Sequence, residues 1–164
     1  MANISLENMK ILIVDDEPDV LESLEELLSR STTVRAQSFE EAKNLLETQS
    51  FDIAILDIMG VDGYKLLEIA NKKKVVAVML TAHAFSPDNI EKSYLGGACY
   101  FIPKEEMTDI ESFLVDVLTA KQDGKNTWEN WYEKFVSFCE KKFGPDWEKD
   151  GRHKSNPIFK IPQP

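Results

Sequence analysis

Residues 53–57 constrain the fold of this chain more than any other segment. Residues 53–56 are an unbroken apolar run that ends in Asp57, and Gly60 and Gly63 follow before a helical pattern begins. An apolar run without polar alternation predicts a strand that is buried on both faces of a parallel sheet. Sites in open α/β sheets lie at the carboxyl ends of strands, so Asp57 is a candidate functional residue. The alternative is a turn or helix-capping aspartate.

Strand and helix patterns alternate through the first two thirds of the chain. Four more strands are predicted, at residues 11–14, 34–36, 75–80 and 99–102, and a helical pattern follows each of the five strands. This alternation predicts a doubly wound five-stranded parallel sheet with helices on both faces. A length of 164 residues fits one domain, or one domain with an appendage.

The charge of the chain is strongly acidic, with a net value of −10. The eight Lys/Arg and six Asp/Glu from Lys125 onward leave +2 there, so the first 124 residues carry −12. An acidic body argues against direct binding of nucleic acid and favours a divalent cation or a basic protein surface. We find no membrane-spanning run and no secretory signal, and two cysteines are too few for a disulfide framework. We therefore expect a cytoplasmic protein.

Five polar side chains stand at the carboxyl ends of four predicted strands. They are Asp15 and Asp16 after the first strand, Asp57 after the third, Thr81 after the fourth and Lys104 after the fifth. Three close carboxylates favour a shared cation, and Mg²⁺ prefers oxygen ligands. A hydroxyl and an ammonium group suit the oxygens of a phosphoryl group, and a carboxylate can act as its acceptor. Each residue alone is more typical of a helix cap, a turn or the surface, but the joint pattern indicates a phosphoryl-transfer site.

The motifs around these residues resemble the receiver domain of bacterial two-component response regulators. The matching segments are Ile-Leu-Ile-Val-Asp-Asp-Glu-Pro, Ile-Leu-Asp-Ile-Met, Asp-Gly-Tyr-Lys-Leu-Leu, Met-Leu-Thr-Ala and Gly-Ala-Cys-Tyr-Phe-Ile-Pro-Lys, and they lie within residues 9–121. The resemblance implies a flavodoxin-like fold with strand order 2-1-3-4-5. It also implies a switch in a phosphorelay, which promotes its own phosphorylation and dephosphorylation and is not an enzyme of metabolism.

The resemblance also assigns roles at the acceptor. Asp57 would accept phosphate from a sensor histidine kinase or a histidine phosphotransferase. Mg²⁺ would be bound by Asp16, Asp57 and the main-chain carbonyl of Met59, and Asp15 would act through water.

Further roles follow for the neighbouring strands. Thr81 would be the switch hydroxyl, and Lys104 would pair with the phosphoryl oxygens. Phe101 stands where the family has an aromatic residue that turns inward on activation. Output would be through contacts with an unknown downstream protein, without direct binding of nucleic acid or membrane.

Two departures from the family pattern leave an alternative open. The loop at residues 59–63 is about two residues shorter than usual and lacks proline, and Pro103 precedes Lys104 instead of following it. A degenerate receiver, acting as a phosphorylation-independent interaction module, is therefore the second interpretation. A cofactor-binding flavodoxin is disfavoured by acids where phosphate would lie, and an aspartate phosphatase by Met59 at the position of its second acid.

The C-terminal segment has a different composition from the body. We predict a receiver domain at residues 1–122 and an extension at residues 123–164. The extension would contain an amphipathic helix at about 127–143, followed by an extended tail, and we expect no large output domain within it. Its aromatic residues recur at steps of three and four, which allows two interpretations. The helix packs on the receiver or on a second copy in a homodimer, or it docks a partner through Trp128, Trp131 and Phe135.

Overall fold

The computed structural model describes residues 4–82 and 87–128, with the side chains of 87 and 88 excepted. It also describes residues 131, 133, 136, 137, 140, 141 and 144. In this part of the chain, no helix has the length and apolar character that crossing a membrane requires.

Five parallel strands form one sheet in the order β2-β1-β3-β4-β5. The strands are β1 Lys10–Val14, β2 Thr32–Ala36, β3 Ile53–Asp57, β4 Val76–Thr81 and β5 Tyr100–Pro103. β3, at the centre, is buried along its whole length, as its apolar sequence predicts. The sheet prediction, including the strand order, is confirmed.

Helices connect the strands and cover both faces of the sheet. They are α1 Pro18–Leu27, α2 Phe39–Thr48, α3 Gly63–Lys72, α4 Pro87–Leu95 and α5 Ile110–Gln122, with a 3-10 helix at Lys104–Asp109 between β5 and α5. α1 contacts α5, whereas α2 contacts α3. Tyr64 of α3 donates a hydrogen bond to Asn89 Oδ1 of α4 at 2.7 Å, which joins these two helices.

The strand register brings the carboxyl ends of the strands to one edge of the sheet. Asp57 lies opposite Leu80 in the pairing of β3 with β4, and Thr81 lies opposite Pro103 in the pairing of β4 with β5. The residue after Pro103 is Lys104. Polar residues that are far apart in the sequence therefore lie side by side.

The predicted C-terminal helix is present, and we define it here as the helical residues described between 127 and 141. Trp128 and Trp131 are buried, with 4% and 1% of their surfaces exposed. Both pack on the body of the same chain, as in the first of the two interpretations, and their role in binding a partner stays a prediction. Phe135 lies outside the described residues, and the domain boundary at 122/123 stays a prediction.

Candidate functional site

Three of the predicted polar residues are buried at the carboxyl edge of the sheet. Asp15 is 0% exposed, Asp57 is 4% exposed and Thr81 is 1% exposed. Asp15 follows β1, whereas Asp57 and Thr81 end β3 and β4. Acidic side chains are rarely buried unless they are paired, so these two carboxylates mark a site.

Lys104 supplies the positive charge between these carboxylates. Its Nζ lies 2.9 Å from Asp15 Oδ2, 3.4 Å from Asp57 Oδ1 and 3.6 Å from Glu17 Oε1. Burial lowers the pKa of Lys104, but the surrounding carboxylates outweigh this effect and the net pKa is raised. The lysine therefore remains an ammonium ion and is held closer to Asp15 than to Asp57.

Asp57 is a carboxyl group in an unfavourable environment for its charge. The pKa of Asp57 is raised to about 7, chiefly by burial and next by the negative charge of Asp15, and Lys104 offsets only part of this rise. Burial also raises the pKa of Asp15, although the main-chain N–H of Glu17 and the Lys104 ammonium act in the opposite direction. The site has more negative charge than one lysine can balance.

The surplus of negative charge favours a bound cation, and Asp15 has oxygen atoms that could bind one. Asp15 Oδ1 accepts a hydrogen bond from the main-chain N–H of Glu17 at 2.9 Å. Asp15 Oδ2 is buried and accepts no well-directed hydrogen bond from the described residues, although it forms an ion pair with Lys104. Lone pairs therefore remain available there. Hard oxygen ligands of this kind fit Mg²⁺.

Glu17 joins this group, and the sequence analysis did not identify it as a site residue. One carboxylate oxygen each from Asp15, Asp16 and Glu17 lie within 4.8 Å of one another. Asp57 does not belong to that cluster, although Lys104 connects it to Asp15. The signal in the sequence is the direct succession of three acids at residues 15–17, which is equally typical of the start of a helix.

The short loop after β3 closes the site on the side of Asp16. Gly60 has φ +87°, and a Cβ atom built there would lie 2.5 Å from Asp16 Oδ2. A Cβ atom at Gly63 would collide with the main-chain oxygen of Asp57. Met59, whose carbonyl is the predicted metal ligand, is 57% exposed. Two glycines thus permit the close approach of this loop to the carboxylates.

Phe101 lies in β5, three residues before Lys104, and is buried in this structure. Its ring stands edge-on to the ring of Trp131, with a centroid distance of 6.4 Å. The neighbouring residue, Tyr100, packs against Phe113 of α5. The predicted switch residue thus lies in the strand that leads to Lys104, and it contacts the C-terminal helix.

Comparison with known proteins identifies the domain that carries this site. The model of the response regulator receiver domain family matches residues 11–115. The two-component response regulator ARR18 of Arabidopsis thaliana is 36% identical over 102 residues, which are 58% of this chain and 16% of that protein. The heme response regulator HssR of Staphylococcus saprophyticus is 36% identical over 98 residues, which are 57% of this chain and 43% of that protein.

A solved structure of a response regulator receiver domain has the same fold as this chain. The CheY-like receiver domain protein of Methanospirillum hungatei superposes with a TM-score of 0.58 at 27% identity, over 67% of this chain and 95% of that chain. The chain spans less than half of the length of these two curated relatives. The family match covers more than half of this chain and includes four of the five strands completely. The chain belongs to the response regulator receiver domain family.

Proposed function

We propose that this chain is a phosphoacceptor of a two-component phosphorelay. Asp57 receives a phosphoryl group from a sensor histidine kinase or a histidine phosphotransferase, and the modification switches contacts with other proteins. The observation that carries this proposal is the buried pair of carboxylates, Asp57 and Asp15, with the Lys104 ammonium 3.4 Å and 2.9 Å from them. Membership in the receiver family supports the same conclusion.

The transfer is a displacement at phosphorus. An oxygen of the Asp57 carboxylate forms a new O–P bond, while the N–P bond of a phosphohistidine breaks and the imidazole takes up a proton. The product is an acyl phosphate. Hydrolysis reverses the modification, since water attacks phosphorus, inorganic phosphate leaves and the carboxylate is restored.

The residues of the site would divide this work among them. Lys104 would pair with the phosphoryl oxygens and stabilise their charge, and the hydroxyl of Thr81 would donate a hydrogen bond to one of them. Asp57 is the nucleophile only as a carboxylate, so its high pKa makes a neighbouring positive charge important.

Mg²⁺ is the cation that this proposal requires. Asp16, Asp57 and the carbonyl of Met59 would hold it, with Asp15 acting through water, and Glu17 is an additional candidate ligand from the structure. When bound, the ion neutralises charge on the carboxylates and on the incoming phosphoryl oxygens.

Intact mass spectrometry tests the proposal. The protein is incubated with acetyl phosphate and Mg²⁺, beside the Asp57→Asn variant and a sample that contains EDTA. We expect a gain of one phosphoryl group in the wild type, and no gain in the variant or with EDTA. Circular dichroism on the same samples shows that each protein is folded.

The absence of a mass gain would decide against phosphorylation. A folded wild-type protein that gains no mass, even when the reaction is quenched within seconds, would refute the proposal. The chain would then be a degenerate receiver that binds its partner without phosphorylation.

A further inference from the structure

The tryptophans of the C-terminal helix close the outer edge of β5. Trp128 Nε1 donates a hydrogen bond to the main-chain oxygen of Ala98 at 2.8 Å, and Trp131 Nε1 donates one to the main-chain oxygen of Phe101 at 2.7 Å. β5 is an edge strand of the sheet, so its outward carbonyls lack a neighbouring strand. Unpaired edges invite pairing with other chains. Here the indole N–H groups satisfy the carbonyl of Phe101 in β5 and the carbonyl of Ala98, two residues before that strand.

Ring contacts extend this cover from β5 to α4. Trp128 stands edge-on to Tyr94 of α4, with centroids 5.4 Å apart, and packs against Trp131 at 4.6 Å. Trp131 in turn contacts the ring of Phe101. The helix therefore occupies the surface formed by β5 and α4, and it does so from within the same chain.

The strand under this cover leads directly to the acceptor site. β5 has four residues, from Tyr100 to Pro103, and Lys104 follows at once. Phe101, which holds Trp131 by its carbonyl and its ring, is three residues before that lysine. Thr81 lies opposite Pro103 in the pairing of β4 with β5. Both groups that would bind a phosphoryl group are thus next to the end of β5.

Lys104 has a reason to move when Asp57 is modified. Its Nζ is 2.9 Å from Asp15 but 3.4 Å from Asp57. A phosphoryl group on Asp57 adds negative oxygens and draws the ammonium toward them. Because protein interiors are closely packed, a shift at the end of β5 disturbs the residues that pack on that strand. Trp131 is 1% exposed, and its indole N–H is bonded to the main-chain oxygen of Phe101, so a shift of β5 moves a direct partner of this side chain.

We propose that the C-terminal helix is an intramolecular cover of the surface formed by β5 and α4, and that phosphorylation of Asp57 displaces it. This inference rests on the proposed function. The unmodified protein keeps the helix docked through its two indole hydrogen bonds. The modified protein releases the helix and exposes the edge of β5. Coupling between two events is reciprocal, so a helix that is held less firmly favours phosphorylation.

Fluorescence quenching tests the displacement. The third tryptophan, Trp147, is replaced by Phe so that emission comes from Trp128 and Trp131 alone. Acrylamide quenching is measured before and after treatment with acetyl phosphate and Mg²⁺, and the phosphorylated fraction is read from intact mass. We expect a quenching constant that rises several-fold with phosphorylation, together with a red shift of the emission. The Asp57→Asn variant in the same background should show neither change.

The reciprocal effect is tested with Trp131→Phe, which keeps an aromatic ring but removes the indole N–H. We expect its phosphorylation by acetyl phosphate to be at least about fivefold faster, the lower end of typical coupling between sites. Glu133→Gln is the matched control, since Glu133 is an exposed residue of the same helix. It should react at the wild-type rate.

The two proposals fail in different ways. Phosphoryl uptake with unchanged quenching, and with an unchanged rate in Trp131→Phe, would overturn the displacement of the helix and leave the proposed function intact. Absence of uptake in every folded protein would overturn both.

Discussion

Replacing Asp57 with Asn should stabilise the metal-free protein, and the gain should increase with pH. The pKa of Asp57 is raised to about 7 by burial and by Asp15, from an ordinary value of 3.8. The folded protein therefore binds this proton more tightly than the unfolded chain does. The contribution of Asp57 to stability is least unfavourable at low pH and worsens as the pH rises through the interval between these two values.

The expected change in the free energy of unfolding follows from the raised pKa of Asp57. About three pK units at about 1.4 kcal/mol each give about 4 kcal/mol for ionised Asp57, as an upper bound. Titration between the two pKa values is partial at pH 5, so the difference between variant and wild type should grow by about 2–3 kcal/mol from pH 5 to pH 8. Lys104 keeps its closer partner, Asp15, in the variant, so the substitution leaves no unpaired ammonium ion.

Urea unfolding in the presence of EDTA measures this difference, with circular dichroism as the signal and equal m-values as the check on two-state behaviour. Glu26→Gln, which removes one exposed carboxylate from α1, is the control for the change in net charge. Parallel curves of unfolding free energy against pH for wild type and Asp57→Asn would refute the reasoning. So would a variant that is less stable than wild type at pH 8.

Three further predictions concern the same site and its surroundings. Because Asp57 must lose its proton to bind a cation, the Mg²⁺ affinity should rise with pH up to about 7 and then level off, as isothermal titration calorimetry can show; a pH-independent affinity would contradict the raised pKa. Gly63→Ala should cost about 2–3 kcal/mol in urea unfolding, since its Cβ meets main-chain atoms that cannot rotate away, and a neutral effect would contradict the packing. Trp131→Phe should cost about 1–3 kcal/mol, because the buried carbonyl of Phe101 loses its donor, and wild-type stability would show that the helix does not dock there.

The apolar strands made most of the fold predictable. A buried strand that ends in Asp57 predicts both a parallel sheet and the edge at which the polar residues meet. The register confirms that Thr81 and Lys104 lie next to each other at the ends of β4 and β5. The family resemblance supplied the strand order. The sequence does not show that the Lys104 ammonium lies closer to Asp15 than to Asp57, because this depends on distances within the folded site.

The C-terminal helix shows the limit of periodicity. Steps of three and four predict an apolar face, but they do not say what covers it. The positions of Trp128 and Trp131 depend on main-chain carbonyls that lie in or just before an edge strand, 30 residues earlier, and nothing in the local pattern reports this pairing. Glu17 was missed for a related reason, since an acid at the start of a helix is also expected to stabilise that helix.

The acyl phosphate itself is the most direct test of the central claim. Protein treated with acetyl phosphate and Mg²⁺ is reduced with borohydride, which converts an aspartyl phosphate to homoserine, and is then digested and sequenced by tandem mass spectrometry. We predict homoserine at position 57 and aspartate at positions 15 and 16, with no conversion in an untreated sample. Conversion at Asp15 or Asp16 while Asp57 remains intact, or no conversion in a folded protein, would contradict the assignment of Asp57 as the phosphoacceptor.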